Sequence, residues 1–144
     1  MSKKIYNKLV RSEIPTIIRE SGKECMYGKL NLENNKDEII KLLKEKLVEE
    51  AREVIETLHK GDLLEELGDL ENVIYSLKKV LRVENDEVRT LSNAKTIKKG
   101  NLGSIMLDSK GQYIPLKNAK SRHDVNYEFI KLISVEDNGQ ETKD

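Results

Sequence analysis

The sequence contains no tryptophan, a single cysteine and no excess of either charge. Lys plus Arg and Asp plus Glu number 26 each, so the formal net charge is zero. Neither the basic field that attracts nucleic acid nor the acidic excess of many disordered chains is present. Cys25 alone can form neither an intramolecular disulfide nor a cysteine-based metal site. The few aromatic residues offer no evident surface for stacking bases, and we expect no nucleic-acid partner.

Long apolar runs and the common phosphate-binding loop are also missing. No run approaches the roughly 20 apolar residues that span a bilayer, and the opening stretch "MSKKIYNKLVRSEIP" has no apolar signal core. We therefore expect a cytoplasmic protein without a membrane partner. The sequence has no GxxxxGKS or GxxxxGKT loop, so any phosphate groups need other binding residues.

Apolar residues at steps of three and four predict helices over most of the first hundred residues. The segment "EIPTIIRES" predicts a short helix with Ser12 as its N-cap and Gly22 as its stop. A long helix is predicted over 37–59, a second from 62 to about 82, and a third over 86–99. The short break "HKGD" predicts that the two long helices pack as an antiparallel hairpin.

Caps and apolar stripes define the two long helices more closely. The first has Asn35 or Asp37 as its expected N-cap and Gly61 as its expected end. The second has a stripe of large aliphatic residues: Leu63, Leu67, Leu70, Ile74, Leu77 and Leu81. Each helix is therefore expected to bury one face against the other.

After Gly100 the pattern changes from helical spacing to short apolar runs. Two such runs flank "DSKGQ" and predict a β-hairpin, and "YEFIKLISV" (127–135) predicts one further strand. The predicted fold is mostly α, an all-α helical bundle core with a small C-terminal extension that contains a β-hairpin or strand. The predicted boundaries are 1–103 for the helical domain and 104–144 for the extension with its disordered tail.

Two pairs of acidic residues lie at the edges of the predicted apolar faces. Glu50 and Glu53 are three residues apart in the first long helix, and Glu66 and Asp69 have the same spacing in the second. At about 100° per residue, each pair projects beside the buried seam, and the hairpin would bring the pairs together. Such carboxylates repel one another unless protons or a cation intervene. An all-oxygen set suits Mg²⁺, Mn²⁺ or Ca²⁺ and not zinc; chance crowding on charged helix faces is the alternative.

The acidic residues also form a recognisable motif. "EEAREVIE", followed by "EELGDLENVI", resembles the EExxE…ExxD signature of the MazG-like all-α nucleoside triphosphate pyrophosphohydrolases. The opening "YNKLVRSEIPTIIRESGK" resembles the N-terminal stretch of a phosphoribosyl-ATP pyrophosphohydrolase-like subgroup, and "AKTIKKG" resembles the stretch that closes the last core helix. The resemblance covers about residues 5–100. It departs at "KKGNLG", where Asn101 and Leu102 replace the Gly and Phe of a usual basic-Gly-Gly-Phe stretch.

The resemblance implies a helical bundle that assembles as a dimer or tetramer. It also implies Mg²⁺-dependent cleavage of a nucleotide between the α- and β-phosphates, which yields a monophosphate and pyrophosphate. The metal ligands that match the signature are Glu50, Glu53, Glu66 and Asp69. Glu49 matches the first glutamate of the signature, either as a further ligand or as the residue that positions the attacking water. The candidates for phosphate binding are Lys8, Arg11, Lys95, Lys98 and Lys99.

The favoured interpretation is a Mg²⁺-dependent pyrophosphohydrolase of nucleoside triphosphates, with Mn²⁺ as a second metal that the site would accept. Arg11 is the favoured phosphate ligand, because a guanidinium group binds phosphate in bidentate fashion. A non-catalytic nucleotide-sensing or regulatory module on the same scaffold is the first alternative. A purely structural helical interaction domain is the second.

Overall fold

A computed structural model of the chain describes residues 3–83, 87–100, 102 and 129–136. Within these ranges the protein is mostly helical and contains no strand, which confirms the all-α class of the core. The chain divides into two compact units, Met1–Val83 and Glu84–Asp144.

Four helices lie within the described residues. The first unit contains α1 (Ile14–Glu20), α2 (Leu32–Glu56) and α3 (Lys60–Val80). The second unit contains α4 (Glu87–Lys99), close to the bounds predicted for the third long segment. None of these helices has the length and apolar character required to cross a bilayer.

The predicted β structure after Gly100 is not seen in the described residues. The hairpin around "DSKGQ" lies outside them. Most of the strand predicted at 127–135 falls in the described segment 129–136, and this segment forms no strand. The small β extension therefore stays a prediction.

α1 ends at the predicted glycine but is not capped as predicted. Its N-cap is Glu13, which makes no side-chain capping hydrogen bond, so the prediction of Ser12 as the cap is wrong. Pro15 lies in the first turn, where its missing N–H leaves no helical bond unmade. Gly22 has φ +89° and donates its N–H to the Arg19 carbonyl oxygen at 3.0 Å. Glycine adopts this left-handed conformation without strain, which confirms its role as the stop.

α2 begins earlier than predicted because Asn31 caps it. Asn31 is extended (φ −129°), and its Oδ1 accepts the N–H of Asn34 at 2.9 Å. The caps predicted further along are therefore wrong, and Asn35 instead marks a kink inside the helix (φ −126°, ψ 24°). The helix ends before Thr57, so Gly61 does not end it but lies in the first turn of α3.

α2 and α3 pack against each other as the predicted hairpin, joined by Thr57–His59. Leu43 of α2 and Val73 and Val80 of α3 are the buried hydrophobic side chains of this seam. A position near the middle of α2 thus meets positions in the second half of α3, as expected for an antiparallel pair with a short connection. Partly buried hydrophobic residues pack around these three: Leu9, Ile39, Ile40, Leu47 and Leu77.

The outer face of α3 is also apolar. Leu67, Ile74 and Leu81 follow one another at intervals of seven residues and are 40%, 39% and 53% exposed. The prediction that they belong to the buried stripe is wrong, because the seam is centred on Val73 and Val80. α3 therefore carries one broad apolar side, of which one edge packs on α2 and the other edge, the outer face, is exposed in the single chain.

Candidate metal centre

Helical periodicity explains why acidic side chains reach the seam between α2 and α3. Glu50 follows Leu43 by seven residues, and Glu66 precedes Val73 by the same interval. Seven residues are about two helical turns, so each acid lies in line with a buried side chain of its own helix. The second member of each acidic pair lies almost one turn further along the same side.

The structure brings the two predicted pairs together. One carboxylate oxygen from each of four residues lies within 4.8 Å of the others: Glu50, Glu53, Glu66 and Asp69. Glu50 is only 7% exposed, and the other three are partly buried. The Oε2 atoms of Glu50 and Glu66 are buried and accept no hydrogen bond from the described residues. The predicted convergence is therefore present, and two of its oxygens lack a partner.

The chemistry and spacing of this group fit a hard divalent cation. Oxygens on opposite sides of a Mg²⁺ ion are about 4 Å apart, twice the usual Mg–O distance, so the side chains need to move little to share one ion. Carboxylate oxygens are also suited to Mn²⁺. Buried oxygens without a hydrogen-bond donor are unfavourable unless something else compensates them. The group could therefore hold a metal ion.

Burial raises the pKa of the Glu50 carboxyl above its ordinary value. Hydrogen bonding with Glu53 and the negative charges of Glu53 and Asp69 act in the same direction, while the positive charge of Lys46 opposes them. Glu50 therefore binds a proton at a higher pH than an ordinary glutamate does. A cation that enters the group competes with protons for this carboxylate.

Lys46 is a candidate functional residue that the sequence analysis missed. Its Nζ lies 2.9 Å from Glu49 Oε1 and 3.6 Å from Glu50 Oε1, and its side chain is 18% exposed. Burial alone would lower the pKa of Lys46, but the hydrogen bond to Glu49 and the charges of both glutamates outweigh burial, so the pKa is raised. The signal was present in the sequence, because side chains three and four residues apart meet on a helix.

Glu49 lies beside the group of four and is held by two lysines. Its Oε1 accepts hydrogen bonds from Lys46 at 2.9 Å and Lys8 at 3.2 Å, and its Oε2 accepts one from Lys8 at 3.3 Å. The hydrogen bond from Lys46, followed by the contacts of Lys8, lowers the pKa of Glu49. A carboxylate stabilised in its charged form accepts a proton less readily than an ordinary glutamate does.

Two of the predicted phosphate-binding residues lie at this centre. Arg11 donates a hydrogen bond to Asp69 Oδ1 at 2.7 Å, and Lys8 reaches Glu49. The other three are exposed on α4, in the second unit: Lys95, Lys98 and Lys99. Their part in phosphate binding stays a prediction.

No family model, curated protein or solved structure matches this chain. The residues themselves therefore define what the site can do. They form an oxygen-lined group of four carboxylates with Lys8, Arg11 and Lys46 at its rim. Such a group could hold a divalent cation with a polyanion beside it.

Proposed function

We propose that the chain is a Mg²⁺-dependent, MazG-like nucleotide pyrophosphohydrolase. It would cleave a nucleoside triphosphate, standard or modified, between the α- and β-phosphates and release a monophosphate and pyrophosphate. The observation that carries this proposal is the convergence, within 4.8 Å, of the four residues that match the ligand positions of the signature. The buried oxygens of Glu50 and Glu66 that lack hydrogen-bond donors support a cation at this point.

Mg²⁺, or Mn²⁺ in its place, would be held by Glu50, Glu53, Glu66 and Asp69. When bound, the ion would neutralise charge on phosphate oxygens and lower the pKa of a bound water. Mg²⁺ usually binds through few carboxylates and keeps positions for water and substrate phosphates. The side chain of Asp69 is 38% exposed, so the group is accessible to such a ligand.

The cations of the chain supply the remaining contacts that a triphosphate needs. Arg11 can form two parallel hydrogen bonds to a phosphate group, whereas Lys8 acts as a point charge. Lys46 pairs with Glu49 and Glu50 and holds them in place beside the site. In the net reaction, water adds to phosphorus, the bridging P–O bond breaks, and the proton of the water passes to a carboxylate or to solvent.

We further propose that the protein works as a homo-oligomer, a dimer or a tetramer. In the described part of the chain only three hydrophobic side chains are buried: Leu43, Val73 and Val80. This is a small core, and small domains with little buried surface are often stabilised by association. The outer apolar face of α3 (Leu67, Ile74 and Leu81) is the surface that a second copy would cover.

A charge placed on this outer face should dissociate the oligomer. We expect Leu67→Glu or Ile74→Glu to shift the protein towards the mass of a single chain, because an unpaired charge in an apolar interface is strongly unfavourable. Size-exclusion chromatography with light scattering measures the mass. Ile17→Glu, at an exposed apolar position of α1, is the matched control and should keep the wild-type mass. A wild-type protein that is already monomeric at micromolar concentration would refute the assignment.

The test of the proposed activity is pyrophosphate release from a panel of standard and modified NTPs and dNTPs, with Mg²⁺ and with EDTA. We expect pyrophosphate and the matching monophosphate from at least one member with Mg²⁺, and from none with EDTA. Release of orthophosphate instead would contradict the cleavage position. Nucleotide binding without turnover across the panel would favour the nucleotide-sensing module. Absence of both metal and nucleotide binding would favour a structural domain.

A further inference from the structure

The N-terminal arm, residues 3–13, crosses the α2–α3 hairpin at the metal centre. Lys8 pairs with Glu49 of α2 at 3.2 Å, and Arg11 pairs with Asp69 of α3 at 2.7 Å. Between these two residues, Leu9 packs against the buried seam. The arm therefore has one apolar attachment to the hairpin and one ionic attachment to each of its helices.

The two ion pairs differ in their relation to the candidate metal ligands. Glu49 lies outside the group of four carboxylates, so the Lys8–Glu49 pair can persist when a cation is bound. Asp69 is a member of the group, so Arg11 binds a carboxylate that a cation in the group would also bind. A divalent ion and a guanidinium group repel each other across a shared carboxylate. Each should therefore weaken the binding of the other.

We propose that Arg11 occupies the position of a cation beside Asp69 in the metal-free protein, a place-holding role, and that its side chain moves to a substrate phosphate once the metal has bound. The second half of this exchange rests on the proposed function, which supplies the polyphosphate. The freed guanidinium presents paired N–H donors that match the oxygens of a phosphate group. Leu9 and the Lys8–Glu49 pair keep the arm on the hairpin, so the freed side chain stays beside the site. The Arg11 side chain is 61% exposed and can move without uncovering the core.

If Arg11 exchanges in this way, its removal should change the two affinities in opposite directions: the metal should bind more tightly and phosphate more weakly. For Arg11→Gln we expect Mn²⁺ to bind more tightly, by about 5–50-fold, because a competing cation is removed. We expect the manganese complex of inorganic tripolyphosphate to bind more weakly, by about tenfold, because a phosphate ligand is removed. Arg11→Lys keeps the charge and loses the paired donors, so both affinities should fall between those of wild type and Arg11→Gln.

Both affinities are measured on the full chain and require no turnover. Electron paramagnetic resonance of free Mn²⁺ gives the metal affinity, and calorimetry with the manganese complex of tripolyphosphate gives the phosphate affinity. Circular dichroism verifies that each variant is folded. The matched control is Arg52→Gln, which removes one positive charge from an exposed position of α2 between Glu50 and Glu53. We expect both affinities of this control to stay close to those of wild type.

A lower Mn²⁺ affinity in Arg11→Gln would overturn the proposal, because Arg11 would then orient Asp69 for the metal instead of competing with it. An unchanged Mn²⁺ affinity, or an increase that Arg52→Gln reproduces, would overturn it as well. Tripolyphosphate binding that does not weaken would overturn the transfer to phosphate. Tighter Mn²⁺ binding in Arg11→Gln, with no nucleotide of the panel hydrolysed, would support the place-holding role while the proposed function fails.

Discussion

Replacement of Glu53 by glutamine, or of Asp69 by asparagine, is expected to reduce Mg²⁺-dependent pyrophosphate release by at least about 100-fold. Each substitution keeps the shape of the side chain and removes one of the four converging negative charges. Steady-state rates at saturating nucleotide, over a range of Mg²⁺ concentrations, measure the loss. Because a charged ligand is missing, raising the Mg²⁺ concentration should restore only part of the activity.

Two nearby glutamates provide matched controls for this prediction. Glu56 on α2 and Glu65 on α3 are exposed and lie outside the converging group. Glu56→Gln and Glu65→Gln remove the same charge in the same way and should keep the wild-type rate. Full activity in Glu53→Gln and Asp69→Asn, or an equal loss in the controls, would show that these carboxylates are not the catalytic metal site.

The metal-free protein is expected to become more stable when Glu50 is replaced by glutamine. Glu50 is buried among other carboxylates, and its raised pKa reflects an ionised form that the fold disfavours. Glutamine removes the charge, and Lys46 keeps its closer partner, Glu49, at 2.9 Å. We expect the Tm in EDTA at neutral pH to rise by several degrees, since about 1 kcal/mol corresponds to roughly 4–8 °C in a unit of this size. Saturating Mg²⁺ should raise the Tm of wild type more than that of the variant.

The advantage of Glu50→Gln should shrink as the pH falls. A carboxyl with a raised pKa destabilises the fold while it is ionised, and this penalty disappears as the pH falls through the raised pKa towards the ordinary 4.5. Glu49 has the opposite effect on stability. Its lowered pKa stabilises the fold above pH 4.5, and this contribution is lost as the pH falls through the lowered pKa.

Thermal unfolding in EDTA, from neutral pH down to about pH 5, measures this dependence. Glu45→Gln, which removes an exposed charge from the same helix, is the control and should unfold like wild type throughout. A Glu50→Gln protein that is less stable than wild type at every pH would contradict the account. An equal rise in Tm on addition of Mg²⁺ for Glu50→Gln and for wild type would also contradict it.

Helical spacing predicted that each acidic pair lies beside the buried seam, but spacing alone did not establish that the two pairs converge. Glu50 and Glu66 share the seven-residue intervals of Leu43 and Val73, so the periodicity that buries hydrophobic residues also carries these acids into the seam. The hairpin then follows from a short connection between two amphipathic helices. These are local properties of the chain, and a single sequence contains them.

The cations at the rim were only partly predictable. Lys46 could have been identified from the sequence, because it precedes Glu49 by three residues and Glu50 by four, and side chains at these separations meet on a helix. Lys8 and Arg11 were candidates as basic residues of the opening stretch, but their contacts depend on how a non-helical arm crosses the hairpin. No spacing rule predicts that path, which includes Asn7 in a left-handed conformation with φ +46°.

The choice of buried face on α3 shows where periodicity is insufficient. Leu67 and Ile74 are larger than Val73 and Val80, yet the two valines are the buried residues of the seam with α2. Both sets fit a helical stripe, because the apolar side of α3 is broad, and only the packing partner decides which of its edges is buried. The start of α2 was missed for a similar reason, since several asparagines compete for the cap and Asn31 makes the bond.

The most direct test of metal binding by the four carboxylates is a crystal structure of the full chain with Mn²⁺, with anomalous diffraction used to locate the ion. We predict an anomalous peak among the carboxylates of Glu50, Glu53, Glu66 and Asp69, with at least two of them in contact with the ion. The metal centre would be contradicted if the four carboxylates kept their observed arrangement at saturating Mn²⁺ and no peak lay between them. The proposed hydrolase would lose its main support with it.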